Sequence, residues 1–147
     1  QHPFDEKRGS MLSPEDRFRF FVSWYIGRVR ECHEGEVPWV RRLITHEILR
    51  PTEGLDLVVE EGIRPILKIL ASIVRELLGS EATENMVTMC CTSVISQSLF
   101  FFYAQPMIAR VFPARDFSNM DLITDHIIKF SLSGIRDLAH HRKGETR

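Results

Sequence analysis

An all-α domain of five to six helices is the fold class this sequence predicts, and three observations carry it. Apolar residues recur at spacings of three and four through five successive segments, the period of a helix laid on a core. No segment alternates apolar and polar residues as a half-buried strand does, and no internal repeat is present. From Asn85 to Ala109 there are 25 consecutive residues without a charge, too many for a strand and the right length for a buried helix. The 147 residues suffice for one domain with a real core, and 44% hydrophobic with 27% charged residues is the composition of a globular chain.

The segments follow in order. Residues 1–12 hold Pro3, Gly9 and Ser10 among charges and read as a loop. Ser13-Pro14-Glu15-Asp16 is a helix start, with serine at the N-cap, proline in the first turn and acids at the positive end of the dipole. Phe18, Phe21, Val22, Tyr25, Ile26 and Val29 then mark one helical face, and Gly35 is expected to end it. A short second helix is expected after Pro38, with Val40, Leu43, Ile44 and Ile48 facing one way, stopping before Pro51. The third runs from about Leu55 to Leu78 on the stripe Val59, Ile63, Ile66, Leu67, Leu70, Val74 and Leu77, closed by Gly79. Pro65 inside it predicts a kink or a restart. The fourth spans about Ala82 to Tyr103 and breaks near Pro106. Residues 111–119 read as a loop, and the last helix runs from about Met120 to His140. The domain is thus expected over 13–141, followed by a polar tail over 142–147.

The uncharged fourth helix is the informative element. Its length alone permits a membrane span. Thr88, Thr92, Ser93, Ser96, Gln97, Ser98 and Gln105 are too many polar groups for that, and Pro106 interrupts the run. Burial in protein is the better reading, yet a domain of this size struggles to cover one helix on all sides with its own chain. A second copy is the simplest remedy. Thr92, Ser96, Leu99 and Tyr103 share one face of the helical wheel, and Cys90, Val94, Gln97 and Phe101 another. The first face has small residues that permit close approach, and the last helix offers a similar surface in Ile127, Phe130, Gly134 and Leu138. Two such helices from each of two chains make a four-helix dimer interface.

Chemistry-bearing motifs are absent. Net charge is −1 without a basic stripe, so the electrostatic footprint of a nucleic-acid grip is missing, and this chain alone is not expected to bind DNA specifically. Arg17, Arg19, Arg28, Arg30, Arg41 and Arg42 are accounted for as solvated helix faces. Cys32, Cys90 and Cys91 form no disulfide framework; the adjacent pair reads as small core residues in a reducing cytoplasm. The N-terminal QHPFDEKRGS lacks the apolar core of a secretory signal. His46-Glu47 is no zinc-protease motif, because Arg50 stands where the second histidine is needed. His33 beside Cys32 and the pair His140-His141 have no partners spaced to complete a metal site. Glu60, Glu61 and Glu76 lack the spacing of paired acid–base work. No cofactor, metal site or enzymatic activity is expected.

What does collect is aromatic: Phe20, Phe21, Trp24, Tyr25, Trp39 and the run Phe100 to Tyr103. Most of it serves as core, but the group invites a pocket for an apolar or aromatic ligand between the first helix, the third helix and the inner face of the fourth. The first helix has more aromatic surface than one core stripe needs, and the break at Pro65 leaves room. Gln97 offers an uncharged polar group that costs about 1–3 kcal/mol if buried unsatisfied. The expected lining is Phe21, Trp24, Tyr25, Arg28, Ile66, Leu70, Cys90, Gln97 and Phe101, with Arg28 or Gln97 fixing a ligand's polar end. The alternative for Gln97 is a bond to a backbone carbonyl beside the Pro65 break.

Four stretches carry a resemblance. HPFDEKRGSMLSPEDRFRFFVSWYIGRV resembles the segment that follows the DNA-binding head in TetR-family regulators. HEILRPTEGLDLVVEEGIRPILKILASIVRELLG is similar to the ligand-binding domain of the CecR-like (YbiH-like) branch, where a helix ends before a proline and a long helix with an I-x-P step follows. SVISQSLFFFYAQPMIARVFP and DHIIKFSLSGIRDL resemble that branch's last two helices. The resemblance implies a helical effector domain whose final two helices form the homodimer. It also implies a pocket among the earlier helices and a ligand-driven change in the spacing of two helix-turn-helix heads that releases DNA, so that the regulator acts as a repressor in the cytoplasm. The helix-turn-helix expected before residue 1 and most of its linking helix are missing from this sequence, so operator DNA is reached only through that head. Ser96 stands where relatives often carry glycine, which implies a slightly wider helix crossing. The competing readings are a small helical enzyme or carrier using the same aromatic cavity, and a dimerisation module without a pocket. A helix-turn-helix encoded upstream separates them.

Overall fold

The computed structural model describes the backbone of residues 12–34, 45–47, 49–115 and 117–145, and the side chains of these except 33–34 and 141–145. Among them every regular element is helical: α1 (Pro14–Glu34), α2 (Glu53–Leu57), a π-helical stretch (Val58–Ile63), α3 (Arg64–Leu78), α4 (Glu84–Tyr103), α5 (Gln105–Val111) and α6 (Met120–Glu145). Residues 45–47 are also helical. The rest of the expected second helix, with Val40, Leu43, Ile44 and Ile48, and the Gly35 stop lie outside the described residues.

Local capping sets most boundaries. The Ser13 hydroxyl accepts the Asp16 amide at 3.1 Å and donates to the Asp16 carboxylate at 2.6 Å, satisfying one of the orphan donors at the start of α1. Thr83 caps α4 by accepting the Met86 amide at 3.3 Å, and Asn119 caps α6 by accepting the Leu122 amide at 3.1 Å. Gly79, at φ +83° and ψ −165°, takes an extended positive-φ conformation open to glycine where α3 ends, and its amide donates to the Arg75 carbonyl at 3.1 Å. Pro106 sits in the first turn of α5, where its missing amide is no loss, so the chain restarts there after turning at Ala104.

Pro65 has the effect its position predicts, in a particular form. It has no amide to donate, and its ring crowds the carbonyl four residues back. The helix widens to π geometry just before it: the Arg64 amide reaches back five residues to the Val59 carbonyl. Nothing in α2 or in this stretch is buried, and Leu57 is 67% exposed.

The body is formed by α1, α3, α4 and α6, each packed on the other three. Their inward stripes are Phe18, Phe21, Val22 and Ile26 on α1; Leu70, Ile73, Val74 and Leu78 on α3; Val87, Cys90, Cys91, Val94 and Phe102 on α4; and Ile123, Ile127, Ile128, Leu132 and Ile135 on α6. Two ion pairs tie the first turn of α1 to its neighbours: Arg17 with Glu76 on α3, and Glu15 with Arg136 on α6 at 3.0 Å. Each arginine holds its partner carboxyl below the usual range.

Candidate functional site

The aromatic part of α1 forms as its spacing predicts. Phe21 is fully buried; Trp24 and Tyr25, three and four residues on, flank it with ring centroids at 5.9 Å and 6.0 Å, the first tilted and the second stacked. Leu70 joins the same core from α3, with Ile66 half-buried a turn earlier. Burial, with smaller contributions from Tyr103 and Cys32, pushes the Tyr25 phenol up to about 12, so it stays a neutral donor at physiological pH. Phe101 has its ring partner elsewhere, 6.3 Å away in Phe117 of the segment before α6. Arg28 lies on the exposed side of α1 and bonds Glu31 at 3.2 Å instead of entering the interior.

Gln97 also stands elsewhere than the sequence suggests. It is turned toward α6, where its amide donates to the Ser131 hydroxyl at 3.4 Å and to the Ser93 carbonyl at 3.2 Å, and it makes no contact beside the Pro65 break. Gln97 and Cys90 help line an open groove of about 210 Å³ between α4 and α6, together with Met89, Ser93, Phe130 and Gly134. Its walls are mainly apolar and its polar patch is the Ser93–Gln97–Ser131 cluster. Sequence reasoning missed this groove because helical spacing joins Ile127 equally well to Ser131 and Ile135 as to Phe130 and Gly134, and only packing shows that Ser131 and Ile135 face α4.

The outer face of α4 and α6 is unusually apolar. On α4 the exposed positions include Met89, Thr92, Ser93, Ser96, Phe100 and Tyr103, which follow one another at helical spacing, with Leu99 half-buried beside them. On α6 Phe130, Gly134 and Leu138 are exposed, whereas Ile127 is fully buried in the chain's own core. Ile127 therefore belongs to the inner stripe with Ile123 and Ile135, and the outer row is offset from it by one residue.

Reactive chemistry is not prepared. Burial raises the Cys90 thiol, and burial together with Cys90 pushes Cys91 up to about 11, which leaves both protonated and poor nucleophiles. No cluster of three metal-ligating side chains occurs among the described residues.

One buried carboxylate has a structural use the sequence did not announce. Glu47 accepts the Thr52 amide at 3.0 Å and its hydroxyl at 2.9 Å, while Thr52 in turn caps α2 by accepting the Gly54 amide at 3.2 Å. These bonds, the Thr52 amide first, then its hydroxyl, and His46 after them, hold the Glu47 carboxyl below its usual range. A depressed pKa in the folded state contributes stability present above the unfolded value and lost as pH falls through the folded one. Glu47→Ala is therefore expected to speed hydrogen exchange at Thr52 and Gly54 while leaving the amides of α3 and α6 protected. The same loosening is expected in the unaltered chain below the usual carboxylate range. Unchanged exchange at Thr52 in the variant contradicts this role for Glu47.

Four mutually packed helices, with an aromatic-rich first and an uncharged fourth, define an all-helical domain and hold no prepared catalytic centre among the described residues. The family model described as "HTH-type transcriptional dual regulator CecR, C-terminal domain" matches residues 14–135, most of the chain, which therefore belongs to that family of TetR-like regulator C-terminal domains. Comparison with curated proteins and with solved structures gives no match.

Proposed function

We propose that this chain is the effector-sensing and homodimerisation domain of a TetR-like repressor, acting in the cytoplasm on operator DNA through a helix-turn-helix head. One observation carries the reading. α4 is 20 residues long and contains an 18-residue window with a mean hydropathy of 1.4, enough by length and composition to cross a membrane, yet only 33% of that window is buried in the chain itself. Apolar surface left in water is unfavourable by about 25 cal/mol per Å², so this helix calls for cover from outside. Its threonines and serines favour protein over lipid as that cover, and the family match favours a second copy.

The sensing half of the reading is supported by Phe21, Trp24 and Tyr25, whose rings continue from the core to the half-exposed side of α1, near Ile66 and Leu70 of α3. An apolar or aromatic effector suits that lining, with the neutral Tyr25 phenol as the polar contact. Trp24 reports on it directly. In a Trp39→Phe background, titration with 1-naphthol as a first probe, followed by a panel of apolar aromatic compounds, is expected to change Trp24 emission saturably. It is also expected to raise the melting temperature as mass action requires. Compounds that bind without altering Trp24 emission contradict this placement of the effector.

A further inference from the structure

The groove between α4 and α6 has the size and the lining of a small-molecule site. Its volume of about 210 Å³ exceeds the roughly 150 Å³ in which an apolar cavity takes up benzene, so one ring with a short substituent fits. Val94 and Ile135, both buried, form its base, and the exposed Met89 and Phe130 stand at its rim. A methionine sulfur and a phenyl ring favour an aromatic occupant over an aliphatic one.

The polar groups of the groove are incompletely used. The Gln97 side-chain amide donates to the Ser93 carbonyl and the Ser131 hydroxyl, while its carbonyl oxygen accepts nothing among the described residues. Ser131 is only 7% exposed, and its hydroxyl accepts from Gln97 without donating to any described group. An acceptor and a donor are thus left on neighbouring side chains. A ligand hydroxyl satisfies both, donating to the Gln97 carbonyl and accepting from Ser131.

Charge narrows the class further. None of the residues lining the groove is ionisable apart from Cys90, whose burial keeps it protonated, so an ion entering would lose its water without compensation. Asp137 is exposed on the same face of α6, one turn beyond Gly134. It opposes an anion at the mouth and, being already engaged, offers a cation no free countercharge. The occupant is therefore neutral.

We propose that the α4–α6 groove binds a neutral one-ring aromatic compound bearing a hydroxyl group, at a site separate from the effector surface of α1. Met89 and Phe130 also belong to the face that the homodimer reading gives to a second copy. Interfaces pack about as densely as protein interiors and leave no void of this size, so pairing fills the groove. The compound and the partner therefore exclude each other. That consequence rests on the homodimer reading, whereas the site itself does not.

4-Ethylphenol is the probe, and ethylbenzene its control without the hydroxyl. Titration calorimetry of the 147-residue chain is expected to show saturable binding of 4-ethylphenol. Gln97→Leu and Ser131→Ala, with folding checked by circular dichroism, are each expected to weaken it roughly three- to tenfold, the worth of about one hydrogen bond. Ethylbenzene affinity is expected to stay level or rise in both variants. Tyr25→Phe is expected to leave 4-ethylphenol unaffected, which separates the groove from the α1 surface. In sedimentation equilibrium, 4-ethylphenol at ten times its own dissociation constant is expected to raise that of the dimer roughly a hundredfold, because each separated copy holds one molecule. Absence of saturable binding overturns the site, as does a loss shared equally by ethylbenzene in both groove variants, or one caused by Tyr25→Phe alone. Binding that leaves pairing unchanged or tightens it overturns the exclusion. A chain that is monomeric without the compound overturns the homodimer reading and leaves the site to the calorimetry of the variants, which decides it alone.

Discussion

Replacing Ser96 by glutamate is expected to convert a dimer into a monomer without unfolding the chain. Ser96 is exposed on α4 in the single subunit, so a carboxylate there remains hydrated and the four-helix body is undisturbed. At a dimer interface it is stripped of water, and symmetry introduces it twice. An unpaired ion buried in protein costs several kcal/mol even after relaxation, and each 1.4 kcal/mol is about tenfold in affinity. The dissociation constant is therefore expected to rise by roughly a hundredfold or more. Sedimentation velocity reads the loss, and circular dichroism checks that helix content and the thermal transition of the monomer persist. A Ser96→Glu chain as dimeric as the wild type removes α4 from the interface.

The second large effect is on stability. Leu70 is fully buried on α3, in the core shared by α1, α4 and α6. Truncation to alanine removes its transfer free energy and leaves a cavity, a loss of about 2–5 kcal/mol. For a chain of this size each kcal/mol corresponds to roughly 2–4 °C, so the melting temperature is expected to fall by roughly 5–15 °C. Leu57→Ala is the control: the same chemistry at a residue that is 67% exposed is expected to stay within about 0.5 kcal/mol. Equal losses at the two positions contradict the described core.

The contrast between these leucines shows what a single sequence makes legible. Ser13, Gly79 and Pro106 act through their own backbone chemistry, so α1, α3 and α5 begin or end where those residues place them. Pro65 announces an interruption, but the form it takes, a six-residue π stretch, depends on how the freed carbonyls are re-satisfied. The orientation of α4 is a different matter. A helix apolar all round has no polar face to mark its outside, and so Gln97 turns toward Ser131 on α6, away from the aromatic residues of α1. On α6 the spacing of Ile127 to Phe130 and Gly134 is as helical as that of Ile127 to Ile123 and Ile135, and only packing separates the inner stripe from the outer row. Phe101 pairs with Phe117, and Arg28 with Glu31, for the same reason: partners supplied by the tertiary fold outweigh those suggested by the helical wheel.

The aromatic surface of α1 and the outward face of α4 serve one account, in which a ligand bound among the helices of one subunit acts on a partner held through α4 and α6. Everything in it depends on the pairing, and the mass of the chain in solution tests that most directly. Sedimentation equilibrium of the purified 147-residue chain at micromolar concentration is expected to give about twice its 17.1 kDa mass, with dissociation only on dilution. A species of 17.1 kDa that persists at concentrations approaching a millimolar contradicts the account.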